Sequence, residues 1–156
     1  MSSSVGKKIK TVFICAFLIS VLGFIAFFTF RLCDFSSKKR YIFLFPSVGS
    51  DSNIIETRII SLRNDQSPIQ IYISELLLGP SINRAESLFG NDTKIVFCFV
   101  RDKTLFVNLT DGALFPPSEV SLNRSIELFK KNIFKNFKDI KTVTLFIDGN
   151  SVEKEA

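Results

Sequence analysis

The residues that do chemistry in proteins are plentiful in this chain, but the pairings that chemistry needs are few. No histidine is present among the 156 residues. Zinc sites built on two or three histidines, Ser-His-Asp triads and Cys-His pairs are therefore excluded, because each requires an imidazole as ligand or proton carrier. What remains is serine activated by lysine, or paired carboxylates acting as general acid and base. Glu56, Glu75, Asp92, Asp102, Asp111 and Asp148 are scattered over turns and element ends, and no spacing converges two of them. No signature singles out one serine among many. A membrane-bound hydrolase using Ser/Lys or carboxylate chemistry is kept as the alternative reading, and no catalytic, cofactor-binding or metal-ligating residue is assigned. Cys15 and Cys33 lie within and just after an apolar run, Cys98 lies inside another, and no CxxC spacing occurs. Cys98 reads as a small buried hydrophobe rather than a nucleophile. Asn108-Leu109-Thr110 has the form of a glycosylation acceptor but falls where a strand should end.

The elements that must position these residues start with a membrane segment. The composition is 46% hydrophobic and 22% charged, with a mean hydropathy of +0.27, apolar for a purely soluble chain. Of 20 basic and 15 acidic residues, positions 1–40 hold seven and one, leaving 13 and 14 to positions 41–156. The net charge of +5 thus flanks one segment, where it suits a membrane better than a phosphate backbone, and no nucleic-acid partner is expected. Residues 11–30 carry no charge; as a helix rising about 1.5 Å per residue they reach roughly 30 Å, the thickness of a bilayer core. The exit Phe28-Thr29-Phe30-Arg31-Leu32-Cys33 lacks the small residues of a cleavage site or of a lipidated cysteine. An uncleaved signal anchor over 11–30 is predicted, between a basic tail at 1–10 and a basic linker at 31–40. Basic residues on both sides leave its orientation undecided by charge.

Beyond the linker the pattern is that of a folded domain. Residues 41–45 are an aromatic, β-branched strand stopped by Pro46, and 54–62 form a second strand that can pair with it across a turn-rich loop, Arg58 and Arg63 marking a wet face. Ser67-Pro68-Ile69-Gln70 predicts a capping box. The helix behind it carries Ile69, Tyr72, Ile73, Leu76 and Leu77 on one stripe and is stopped by Gly79 and Pro80. A hairpin follows, 94–100 and 105–109 about a polar turn; both faces of the first strand look apolar, so at least one strand is central. A second helix is expected from about Ser118 or Ser121 to Phe137, with Leu122, Ile126, Phe129, Ile133 and Phe137 inward and Lys130, Lys131 and Lys135 on a solvated face. A last strand at 142–147 ends at Asp148-Gly149. The order β-β-α-β-β-α-β predicts an α+β two-layer sandwich, a mixed sheet of about four to five strands with two helices, preceded by one transmembrane helix.

Tyr41-Ile42-Phe43-Leu44-Phe45-Pro46, Leu76-Leu77-Leu78-Gly79-Pro80, the stretch from Lys94-Ile95-Val96 to Val107-Asn108-Leu109-Thr110, and Val143-Thr144-Leu145-Phe146-Ile147-Asp148-Gly149 resemble, in order and spacing, the GerMN domain family. The resemblance covers residues 41–150, followed by a charged tail at 151–156. Its motif residues are Gly79, Pro80, Asp148 and Gly149, in a structural role. It implies a single-copy, extracytoplasmic bacterial module of the kind found in sporulation and germination proteins and in envelope lipoproteins, with a topology similar to the ring-building domains of secretion assemblies. The implied function is that of a non-catalytic interaction or assembly module, single-pass in the cytoplasmic membrane with its domain facing the periplasm or exterior. The implied partners are other envelope proteins, the membrane through 11–30, and, as an option left open, further copies of the chain.

Overall fold

The structure is a computed structural model that describes residues 17–25, 27, 37–62, 66–117 and 120–152. The chain divides into two units, residues 1–35 and 36–156. In the first, residues 17–25 and 27 are helical, with apolar side chains such as Phe17, Ile19 and Phe24 exposed. No helix among the described residues is long and apolar enough to cross a membrane. Residues 11–16, 26 and 28–30 of the expected span, the basic tail and 31–36 of the expected linker lie outside the described residues.

The second unit is α+β. Strands β1 (Ser37–Pro46) and β2 (Asn53–Leu62) pair antiparallel, so Ser37–Arg40 belong to a strand rather than to a linker. Helix α1 (Pro68–Leu77) starts with proline in its first turn, where the missing N–H costs nothing. The expected capping box does not form, since the Ser67 side chain makes no cap hydrogen bond. Strands β3 (Ile95–Arg101) and β4 (Thr104–Leu109) form a hairpin, and Asp102 and Lys103 between them have φ of 50° and 63°, the primed-turn geometry that matches strand twist. A 3-10 turn (Asp111–Leu114) and helix α2 (Leu122–Asn136), capped by the Ser121 side chain, lead to β5 (Thr142–Ile147), which lies parallel to β4. Asp148-Gly149 does not end the fold but turns the chain into a two-residue strand, β6 (Asn150–Ser151).

Compared with the expected order, the chain adds the 3-10 turn and β6, and its strands form two sheets: β1-β2, and β3-β4-β5-β6 with mixed directions. The single sheet of four to five strands is thereby corrected. The core joins Tyr41, Phe43 and Phe45 of β1, Tyr72, Ile73 and Leu76 of α1, Phe129 and Ile133 of α2, and Leu105, Val107, Leu109 and Leu145 of β4 and β5. Phe43 stacks on Tyr72 with ring centroids 4.7 Å apart, and each fully buried side chain of this size contributes about 1.5–3 kcal/mol. Helix α2 turns its predicted apolar stripe inward, rotated toward the side that carries Ser125, Leu128 and Asn132. Ser125, Leu128, Phe129, Asn132 and Ile133 are buried, whereas Leu122, Ile126 and Phe137 are only partly so.

Candidate functional site

Glu56 and Arg58 are two residues apart on β2 and so share a face of the strand. That face is not wet at Arg58: its guanidinium lies over the rings of Phe43 and Phe45, 4.9 and 5.6 Å from their centroids. Arg58 Nε donates to Glu56 Oε1 (2.6 Å), Nη1 to the Glu75 carbonyl (3.0 Å) and Nη2 to the Gly79 carbonyl (2.6 Å). The guanidinium therefore caps the end of α1, where the last carbonyls lack helical partners and the helix dipole is negative. Ser81 donates to Glu56 from its backbone N–H (3.0 Å) and its hydroxyl (2.7 Å). Burial pushes the Glu56 carboxyl upward, but the bonds from Arg58 and Ser81 outweigh it and hold it below the ordinary carboxylate value. The Glu75 carboxylate stands 3.8 Å from the same guanidinium. The structure thus brings together two acids that no spacing linked, but around one cation, and Glu56 is held ionised rather than raised toward the range of a general acid.

The same cluster explains Gly79-Pro80. Gly79 has φ of +81°, and a Cβ there would collide with Ser87 Oγ. The other acids serve turns. Asp111 Oδ1 accepts from Gly112 N (3.0 Å), Asp92 packs where a Cβ on Gly112 would sit, and Asp102 lies in the exposed β3–β4 turn. Asp148 and Gly149, with φ of 48° and 77°, are anchored on β4: Asp148 N donates to the Leu109 carbonyl (2.9 Å) and Gly149 N to Asn108 Oδ1 (3.1 Å). Asn108 is buried, which accounts for its presence at the strand end without glycosylation. The motif residues do not converge; one pair closes α1 against β2 and the other ties β5 to β4. Among the described residues no group of three or more His, Cys, Asp or Glu is placed to hold a metal ion. The open groove between α1 and β3, about 480 Å³, has Lys94 as its one charged lining residue.

Two strand edges were not legible as special. At the first, Asn132 and Asn136, one turn apart on α2, do for β1 what a neighbouring strand would do. Leu44 N donates to Asn132 Oδ1 (2.8 Å) and Asn132 Nδ2 to the Leu44 carbonyl (2.9 Å). Ile42 N donates to Asn136 Oδ1 (2.9 Å) and Asn136 Nδ2 to the Ile42 carbonyl (2.7 Å). The Tyr72 hydroxyl closes the network, 3.0 Å from the Ile42 carbonyl, Asn132 Oδ1 and Asn136 Nδ2. Burial pushes the pKa of this hydroxyl far up, with Asn136 opposing. The amides end sheet growth at β1, which is the physical reason the strands split into two sheets.

The second edge is β3. The apolar faces of the hairpin implied that at least one of its strands is central; that strand is β4, which lies inside its sheet beside β5, while β3 lies at the rim. Val96, Phe97, Phe99 and Val100 are exposed, and a bulge falls between Ile95 and Phe97. On the outward face Phe99 stacks on Phe106 with centroids 5.1 Å apart, and Phe97 contacts Phe99 (5.7 Å) and Phe146 (6.1 Å). Cys98 is half buried on the other face, where burial pushes its thiol up to about 11 and keeps it protonated. Exposed aromatics thus lie beside a strand edge that is unpaired among the described residues. The alternation of Phe97 and Phe99 opposite Phe106 was the signal available in the sequence.

No family model matches the chain. It is 31% identical over 80 residues to a protein of Treponema pallidum (strain Nichols) described as an uncharacterized lipoprotein, a match covering 51% of this chain and 60% of that protein. The chain therefore spans less than two thirds of that relative's length. In structure it is similar to the tandem GerMN domains of the sporulation protein GerM from Bacillus subtilis, with a TM-score of 0.55 and 17% identity over 73% of this chain and 40% of that one. A structure from Clostridium perfringens described as a lipoprotein superposes with a TM-score of 0.47 and 20% identity over 73% and 77% of the two chains, too distant to carry weight. The domain has a GerMN-like fold.

Proposed function

We propose that the chain is an envelope protein whose GerMN-like domain works as a non-catalytic docking module outside the cytoplasmic membrane, held there by the apolar segment 11–30. The outward aromatic face formed by Phe97, Phe99, Phe106 and Phe146 carries this reading, because large exposed rings beside a strand edge cost solubility unless a protein covers them. The likeness to a lipoprotein and to a sporulation protein supports the envelope setting. A reporter phosphatase fused after Ala156 is expected to be active, as it is only outside the cytoplasm. In native electrophoresis of gently solubilised membranes the chain is expected in a species heavier than two copies of its 17.6 kDa. Phe106→Glu with Phe146→Glu should release it from that species. A chain that migrates alone before and after the substitutions, or a hydrolytic activity lost on changing one serine, would overturn the docking role.

A further inference from the structure

We propose that β3 pairs antiparallel with β3 of a second copy of this chain about a two-fold axis at Cys98, joining two four-stranded sheets into one continuous sheet. This names one partner for the docking module and rests on that reading.

The described edge strands show why β3 is the one to pair. The β1 edge is filled by Asn132 and Asn136. Strand β2 carries an inward-pointing charged pair, Glu56 and Arg58, and β6 is two residues long. Each is a recognised way of blocking strand addition; on β3 such a device, the bulge between Ile95 and Phe97, is confined to one end and leaves Phe97–Arg101 regular. Residues 95–100 of β3 include no proline, no lysine and no charge. The hairpin geometry also directs its free backbone groups. Across a two-residue turn the flanking pair, Arg101 and Thr104, is hydrogen-bonded, and bonded pairs then alternate through Phe99/Phe106 and Phe97/Asn108. The N–H and C=O of Val100 and Cys98 therefore point away from β4.

What they would meet is written in the strand itself. Val96-Phe97-Cys98-Phe99-Val100 reads the same in both directions, and an isologous interface needs such self-complementarity. With Cys98 opposite Cys98 of the second copy, Val100 faces Val96 and Phe99 faces Phe97, extending the aromatic row across the junction. Counted outward from Cys98, the same pairing brings Lys94, just before β3 and its bulge, near the turn residue Asp102 of the second copy at each end, so opposite charges approach there. Like-signed residues face each other nowhere in this segment.

The test uses the full chain in its membrane with Cys15→Ser, Cys33→Ser and Cys98→Ser. Lys94→Cys and Asp102→Cys are then introduced singly or together, and copper–phenanthroline catalyses oxidation by oxygen, the two thiols losing two protons and two electrons to oxygen as each S–S bond forms. Within one chain positions 94 and 102 flank the two ends of the seven-residue β3 and lie roughly 20–25 Å apart, so a bond between them joins two chains. The double variant, or the two single variants expressed together, should give covalent dimers, and each single variant alone should give none. Adding Val100→Pro removes an N–H that β4 does not use; dimer yield should fall at least tenfold with an unchanged circular dichroism spectrum. No dimer from the double variant, equal crosslinking by a single variant, or undiminished crosslinking with Val100→Pro would overturn the pairing. The heavier envelope species surviving while crosslinks are absent would sink the self-pairing and leave the docking role standing.

Discussion

The two sheets meet the same problem, a strand edge with unused backbone groups, and treat it in opposite ways. At β1 the edge is closed from within by two asparagine amides and a tyrosine hydroxyl. At β3 it is left open beside an aromatic face. A closed edge places its polar groups in the core, where every one must be satisfied and losing one partner orphans several others. An open edge places them in water or in a partner, so the folded chain depends on them little. Substitutions near β1 should therefore be read out in stability, and substitutions along β3 in association.

The largest effect is expected for Asn132→Ala, which strips partners from the Leu44 N–H and carbonyl and from the Tyr72 hydroxyl at once. Orphaned buried polar groups cost about 1–3 kcal/mol each, and a loss of roughly 3–4 kcal/mol in urea unfolding is predicted. Stability within about 0.5 kcal/mol of the unsubstituted chain would mean that the amide is not closing the edge.

Gly79→Val should follow, at about 2–3 kcal/mol, because it combines a positive φ with a collision against Ser87 Oγ. Lys131→Ala, on the exposed side of α2, is the comparison and should leave the melting temperature where it is. Equal melting of Gly79→Val and the unsubstituted chain would remove the steric basis of the Gly79-Pro80 motif.

Acid sensitivity sharpens the contrast further. The Glu56 carboxyl is held below its ordinary value of 4.5 in the fold, so its contribution is fully present above that value and lost as pH falls through the lowered one. Glu56→Gln should make stability less dependent on pH across that acid range. An acid limb identical to that of the unsubstituted chain would show that Glu56 is not the linked group. The smallest effect belongs to β3: Phe99→Thr, at a half-exposed ring, should change unfolding by about 1 kcal/mol or less while weakening association. A loss as large as that for Asn132→Ala would make β3 a core strand and erase the distinction between the edges.

Local features were legible in sequence because their causes are local. Pro68, Gly79 and the Asp148-Gly149 turn act through the backbone dihedrals of one or two residues. The split into two sheets was not legible, because it depends on Asn132 meeting a strand 88 positions away, and an asparagine on a helix looks the same whether it faces water or a strand. Arg58 was hidden for a similar reason: its alternation on β2 fits a solvated face, and only the end of α1 and two rings make it a cap. The place of β3 at the rim was not legible because an apolar composition fits an interior strand as well as an edge strand, and strand order depends on the distant pairing of β4 with β5.

Amide hydrogen exchange on the full chain reconstituted with lipid tests the contrast between the edges most directly. The N–H groups of Ile42 and Leu44 should be protected at every protein density, being bonded within the chain to Asn136 and Asn132. Those of Cys98 and Val100 should exchange freely in dilute membranes and become protected as density rises. Rapid exchange at Ile42 and Leu44, or no gain in protection at Cys98 and Val100 at any density, would contradict the assignment of one closed and one open edge.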